Sequence, residues 1–239
     1  MKTIFYLLPL AALLLAASPV LAQETPQNMA AEIRFGFYKP NMDGEFSGNG
    51  PYESSFGKDS MLMFSGELDW QFWRPFGSLG VFGTAGYSWV KGKGLLEEGT
   101  KSSDETKLKM VPLDMGLVYR FDVLAKKYEI PFVLALKGGL TYAFWWMTDG
   151  QGDTSSWTSA GGNEIEGTGG TWGLNGAVAL HLHLDIFEPH TAKIFDNELG
   201  VNNSYLFIEY GVHWLNDFAS SKSLDLTDHG LTFGLAFEM

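Results

Sequence analysis

Apolar side chains recur at every second position in about eight separate stretches of the chain, the signature of strands whose two faces meet different surroundings. In the first stretch, Ile33, Phe35 and Phe37 alternate with Glu32, Arg34 and Gly36. The second sets Leu62, Phe64, Leu68, Trp70 and Phe72 against Ser65, Glu67, Asp69 and Gln71, and the third sets Leu79, Val81, Ala85, Tyr87 and Trp89 against Gly80, Thr84, Gly86 and Ser88. In the fourth, Val111, Leu113, Met115, Leu117, Tyr119 and Phe121 oppose Asp114, Gly116, Arg120 and Asp122. Pro112 lies inside it, lacks a ladder donor and predicts a bulge or local break. The fifth turns Phe132, Leu134, Leu136, Leu140, Tyr142, Phe144 and Trp146 away from Ala135, Lys137, Gly139 and Thr141. The sixth places Trp172, Leu174, Val178, Leu180, Leu182 and Leu184 opposite Asn175, Ala177, Ala179, His181, His183 and Asp185. Leu206, Ile208, Tyr210, Val212 and Trp214 oppose Glu209, Gly211 and His213 in the seventh. The last stretch runs to the final residue, with Phe233, Leu235, Phe237 and Met239 on one face and Thr232, Gly234, Ala236 and Glu238 on the other.

Each stretch is long enough for a tilted bilayer crossing of roughly 9–11 residues. The predicted fold is all-β: a closed antiparallel transmembrane β-barrel of about eight strands over 31–239. Long polar connections at about 39–60, 92–106, 148–170 and 216–229 alternate with shorter ones at Pro75-Phe76-Gly77 and about 123–131, matching long outer loops and short periplasmic turns. The connection at about 186–203 is long on the periplasmic side, and its Pro189 and Gly200 predict a short helix. Threaded this way, Trp70, Phe72, Tyr119, Phe121, Phe132 and Phe237 form a periplasmic aromatic band. Tyr87, Trp89, Tyr142, Trp146, Trp172 and Trp214 form an outer one. A soluble ligand-binding barrel would carry the opposite arrangement, apolar inside and polar outside.

The amino terminus changes the setting. Lys2 precedes an apolar run from Ile4 to Ala17, and Val20 and Ala22 are placed as a signal peptidase requires. The expected organisation is a signal peptide at 1–22, a periplasmic segment at 23–30 and then the barrel. Removing Lys2 takes the formal charge from −12 to −12 − 1 = −13. A chain this acidic, without clustered Lys and Arg of nucleic-acid type, is not expected to bind nucleic acid. The absence of cysteine excludes disulfides and a lipoprotein anchor. The 29 glycines suit a small, strongly curved barrel.

Thr232, Gly234, Phe237 and Met239 resemble the carboxy-terminal insertion signal of bacterial outer-membrane barrels, and the resemblance implies handling by the barrel-assembly machinery. Several other segments, 77–81, 111–113, 118–125, 170–173 and 200–207, together with Leu231 to Met239, resemble a family of outer-membrane β-barrel proteins from myxobacteria and related deltaproteobacteria. That resemblance runs from about Arg34 onward. It implies the barrel fold and an outer-membrane location, and it brings no established activity.

Eight strands enclose an interior that side chains can fill. Its candidates are cations Arg34, Arg120 and Lys137 with carboxylates Glu32, Glu67, Asp69, Asp114, Glu209 and Glu238. Buried charges persist when paired, so Arg34, Glu67, Asp69, Asp114, Arg120, Lys137 and Glu209 are expected to form a network plugging the lumen. The expected role is structural or surface-interacting, with outer-membrane lipid and lipopolysaccharide as partners. Two alternatives stand beside it: a narrow pore, and a lipid-modifying hydrolase for which His181 and His183 are the only catalytic candidates. No serine shares their face, and His181, His183 and Asp185 form too sparse a set for a metal, so no metal or cofactor is expected. The outer loops carry many Asp and Glu, read here as solvating charges.

Overall fold

The computed structural model describes residues 28–44, 46–47, 50–95, 101–128, 130–158, 164–220 and 223–239. The expected signal peptide at 1–22 and most of the segment 23–30 lie outside them. Eight long strands close into a single barrel: β1 (Met29–Tyr38), β2 (Met61–Trp73), β3 (Ser78–Leu95), β4 (Lys101–Phe121), β5 (Phe132–Thr148), β8 (Thr168–His183), β9 (Asn203–Leu215) and β10 (Asp228–Glu238). Two short strands, β6 (Ser156–Thr158) and β7 (Glu164–Glu166), form a separate hairpin within the loop between β5 and β8. All neighbours are antiparallel, and β10 closes the circle by pairing with β1. Closure leaves no unpaired sheet edge.

Alternation places the apolar set outside. Ile33 is 67% and Met115 64% exposed, whereas Glu32 and Asp69 on the opposite face are each 2% exposed. Cross-strand register makes the outer face a continuous belt. Phe35 lies between Phe64 and Phe233, with ring centroids 6.1 and 6.4 Å away, so the belt crosses the closing seam without a break. Trp70, Phe72, Phe121 and Phe132 are exposed at one end of the belt and Tyr87, Trp172 and Trp214 at the other. Apolar wall and charged interior together invert the water-soluble arrangement and match a hydrocarbon surround. Val178, in the belt between Leu136 and Tyr210, is therefore a sensitive position. Val178→Arg is expected to destabilise the barrel in liposomes by about 2–4 kcal/mol, read from urea titration of the folded fraction, while Val178→Leu leaves it unchanged.

Four local features differ from the sequence expectation. The connection at about 92–106 is mostly ladder rather than loop, because β3 and β4 continue outward with Lys91 opposite Lys107 and Lys93 opposite Glu105. The phase of hydrophobicity reverses there: Val90, Leu108 and Met110 are buried inside, while lysines occupy the outer face. Above the belt the barrel exterior meets water and its interior meets apolar packing, so the lipid-out pattern no longer applies. Second, the loop 39–60 contains a helix, α1 (Pro51–Phe56), and the turn at about 123–131 contains another, α2 (Val123–Tyr128). Third, of the bulge or local break expected at Pro112, the structure shows the break and not the bulge. The β3–β4 ladder skips from Leu113 to Met110, yet the register is the same on both sides. The register shifts lie in β2 between Gln71 and Trp73 and in β3 between Lys93 and Leu95. Fourth, β1 begins at Met29, two residues before the expected barrel start at 31.

The expected periplasmic helix is α3 (Pro189–Leu199), with Pro in the first turn and Gly200 as its C-terminal cap. Gly200 has φ 69°, a left-handed conformation that glycine adopts without a Cβ clash, and its N–H reaches the Asp196 carbonyl. None of the described helices is long and apolar enough to cross a membrane.

Candidate functional site in the barrel lumen

Inward-facing positions of all eight barrel strands fill the lumen in layers. The central layer is ionic, and Glu32 on β1 is its hub. Its carboxylate accepts from Arg34 (2.5 Å), Arg120 (2.8 Å) and Lys137 (2.9 Å), and His181 Nε2 lies 3.4 Å away. Arg34 also binds Glu67 at 2.9 Å and pairs with Glu209. Lys137 reaches Glu67 at 2.5 Å and Glu209 at 3.2 Å, and Arg120 pairs with Asp69. Three cations thus face four carboxylates, Glu32, Glu67, Asp69 and Glu209, all almost fully removed from solvent. Pairing of this density offsets a desolvation cost that isolated charges would not survive.

The structure therefore brings Arg34, Glu67, Asp69, Arg120, Lys137 and Glu209 together, and adds Glu32 and His181. Glu32 shares its face with Arg34 two residues on, so strand parity alone was enough to include it. Asp114, grouped with the network from sequence, stands apart from it. Its carboxylate accepts from Thr141 at 2.7 Å and lies 3.6 Å from His213. Parity places Asp114 inside correctly, but its height along the axis depends on barrel register. The ligand oxygens of Glu32, Glu67 and Asp69 fall within 4.8 Å of one another, a spacing that can hold a metal ion. Arg34, Arg120 and Lys137 already supply the positive charge there.

His181 and His183 both pack against Tyr205 but have different polar partners. His181 is fully buried, with Tyr205 and Phe207 rings 5.9 and 5.1 Å from its own. His183 stacks on Tyr205 at 5.0 Å and contacts Asn203 at 3.0 Å and Asp185 at 3.4 Å. Among the described residues neither histidine has a serine hydroxyl as hydrogen-bond partner, so the nucleophile of an acyl transfer is missing beside its base. Below the ionic layer, Val133, Tyr205, Phe207 and Ala236 make an apolar cluster, and Ala125 of α2 packs against it from the periplasmic side. Glu238 accepts from Tyr205 at 3.0 Å and Asn203 at 2.8 Å at that level.

Above the ionic layer lies a small polar cavity of about 60 Å³, bordered by Ser65, Thr84, Asp114, Asn175 and His213. It has room for a few water molecules and is far below the roughly 300–1,000 Å³ of a small-molecule site. An apolar plug closes the mouth beyond it. Tyr38, Met61, Val90, Leu108, Met110 and Leu215 from the strands meet Tyr52 and Phe56 of α1 and Leu226 of the last outer loop. Asp43 fastens α1 by accepting from the N–H groups of Tyr52 and Glu53 at 2.7 and 2.8 Å, and the Tyr52 hydroxyl donates to the Asp59 carbonyl at 2.8 Å. Burial pushes the Tyr52 phenol above its ordinary range, with Asp59 adding to the shift. The Tyr38 hydroxyl donates to the Leu226 carbonyl, tying the last loop to β1. This plug was not visible in sequence because a six-residue helix leaves only two apolar positions, Tyr52 and Phe56, four apart.

The carboxy-terminal strand forms the closing seam. Thr232 faces Gly36 and Glu209 across its two ladders, and Gly234 faces Arg34 and Phe207. A Cβ at Gly234 would meet the Ile33 carbonyl at 2.1 Å and the Phe207 ring at 2.7 Å, so a larger residue there would push the seam apart. Phe237 lies on the apolar outer face of β10, half-buried. Met239 exchanges backbone hydrogen bonds with Met29 at 2.9 and 3.1 Å.

An exposed apolar belt, aromatic ends and a paired ionic interior inside eight closed strands define a barrel of the bacterial outer-membrane class. Scans of protein-family models and of curated proteins find no match to the chain. Among solved structures, it is similar to the outer membrane protein OprG of Pseudomonas aeruginosa, with 13% identity, 89% of this chain and 95% of that one covered, and a TM-score of 0.48. It is also similar to Ail, the attachment invasion locus protein of Yersinia pestis, in complex with the heparin analogue sucrose octasulfate, at 12% identity, 89% and 97% coverage and a TM-score of 0.42. Neisserial surface protein A is similar at 12% identity, 88% and 96% coverage and a TM-score of 0.40.

Proposed function

We propose that this protein is a sealed outer-membrane barrel that acts through its outer surface, in a structural or surface-interaction role, and not as a conduit. The lumen carries this reading: an ionic layer and an apolar plug lie in series, separated by a cavity of about 60 Å³. Either layer alone would obstruct an ion, and the two depend on different forces. The ionic layer resists solvents that weaken apolar packing, while the plug resists salt. The finer kinship, with the deltaproteobacterial barrel family, rests on the segments quoted from the sequence and adds no activity. The lipid-hydrolase alternative is the weaker reading, because among the described residues neither His181 nor His183 has a serine hydroxyl as hydrogen-bond partner. The partners that follow are outer-membrane lipid and lipopolysaccharide, with the barrel-assembly machinery acting on β10 during insertion.

Planar-bilayer recording of the purified barrel tests the sealed lumen. No stable conductance step is expected at moderate voltage in 1 M salt, a concentration at which the Debye length is about 3 Å and surface charge no longer masks a pore. Reproducible unitary steps would overturn the reading in favour of a narrow pore.

A further inference from the structure

Five of the chain's sixteen Lys and Arg fall between positions 91 and 109, in a protein whose net charge is −12. Four of them share one surface. Lys91 and Lys93 on β3 and Lys107 and Lys109 on β4 have the same outward parity as Tyr87, Trp89 and Val111. Lys91 stands opposite Lys107, and Lys109 stands opposite Trp89 on one side and Trp146 on the other. Residues two apart along a strand are about 7 Å apart and neighbouring strands about 4.8 Å apart, so the four ammonium groups spread over a patch about the size of one lipid headgroup.

Like charges directly opposite in a ladder are destabilising. The Lys91–Lys107 pair is therefore a local cost that an anion would relieve. Among the described residues, Lys107 is the only one of the four with an ion pair, to Glu105 at 2.9 Å. Glu105 is itself held below the usual carboxylate range by its hydrogen bond and charge contact with Lys107, with Lys91 adding to the effect. Among the described residues, one carboxylate on this face is thus set against four cations.

The height of the patch identifies the anion. Directly beneath it, Tyr87 stacks on Trp89 at 5.4 Å and approaches Trp146 at 6.4 Å, a cluster of the kind that sits at a membrane–water interface. Lys109 lies in the ladder row of Trp89 and Trp146, with Lys91 and Lys107 one step beyond it and Lys93 two, at headgroup level. We propose that the outward face of the β3–β4 ribbon is a binding site for the phosphate groups of an outer-leaflet phosphorylated glycolipid. Lys91, Lys93, Lys107 and Lys109 hold the phosphates, and Trp89 and Trp146 lie against the glycan–acyl boundary. The proposal rests on the outer-membrane reading above.

The test uses the mature barrel in detergent, titrated with diphosphorylated lipid A and followed by native mass spectrometry. A basic residue near anionic headgroups contributes about fivefold in partition. The quadruple variant K91Q/K93Q/K107Q/K109Q is expected to bind lipid A at least tenfold more weakly than wild type. The control pair K58Q/K193Q, at exposed lysines elsewhere, is expected to bind as wild type does. Dephosphorylated lipid A should bind wild type no better than the diphosphorylated form binds the quadruple variant, and inorganic phosphate at tens of millimolar should leave the complex intact. Undiminished binding by the quadruple variant, or equal affinity for the dephosphorylated lipid, would overturn the proposal. Full displacement by inorganic phosphate would instead assign the patch to free phosphate and overturn the lipid. The double variant K91Q/K107Q removes the opposed like charges and is expected to melt no lower than wild type while still losing affinity, which separates ligand loss from misfolding. Density-gradient fractionation of cell envelopes tests the outer-membrane reading independently, since the binding assay does not depend on where the chain resides.

Discussion

Arg120→Met is expected to lower the stability of the folded barrel by about 3–5 kcal/mol, the usual effect of leaving a buried charge without its partner. Arg120 is 2% exposed and holds Asp69 and Glu32 at once, the latter at 2.8 Å. Without it, two cations face four carboxylates that are almost fully removed from solvent. Methionine fills most of the vacated volume, so the effect isolates charge from packing. Urea titration in detergent micelles should show an earlier midpoint with an unchanged strand signal in circular dichroism. The double variant Arg120→Met with Asp69→Leu removes one of the stranded carboxylates and should recover part of the loss, because replacing both partners of a buried pair is often close to neutral. Lys137→Met should fall in the same range, since Lys137 serves Glu32, Glu67 and Glu209 together. A curve superimposable on wild type for Arg120→Met would mean that its carboxylates are already neutralised by protonation or by water.

The strands were legible because a period of two survives wherever the two faces of a wall meet lipid and lumen. Ile33, Phe35 and Phe37 against Glu32 and Arg34 is enough to assign faces with no structure at all. The same rule misread residues 92–106. Above the interface the solvents exchange places, so Leu108 and Met110 point inward, Lys107 and Lys109 point outward, and a lipid-facing template sees only polar loop. Membership of the ionic network was legible only as far as parity reaches. Parity distinguishes inside from outside, but Asp114 and Glu67 differ in height by the strand stagger, and stagger is a property of register that no single strand encodes. Tyr52 and Phe56 were hidden for another reason. Their helix is too short for its periodicity to register, and its apolar face is complete only against Met61, Leu108 and Leu226 from distant parts of the chain.

Replacing Phe237 and Met239 together with Asp should abolish assembly in cells while costing little in a test tube. Phe237 continues the outward face of Phe233 and Leu235, and Met239 is joined to Met29 at the periplasmic end of the seam. A charged substitution on the lipid side costs about 0–1 kcal/mol near an interface, less for Asp than for Lys or Arg. The backbone bonds of Met239 do not depend on its side chain. Equilibrium stability in liposomes should therefore fall by no more than about 2 kcal/mol for the pair, and the purified variant should still fold. In cells the outcome differs if the barrel-assembly machinery reads the alternating terminus: the secreted chain should accumulate in the periplasm as a protease-sensitive species, and the heat-modifiable band of the folded barrel should disappear from outer-membrane fractions. Normal recovery of that band would show that β10 closes the barrel without serving as an address. Equal failure in liposomes and in cells would place the effect in the seam itself, where Gly234 already leaves no space between Ile33 and Phe207.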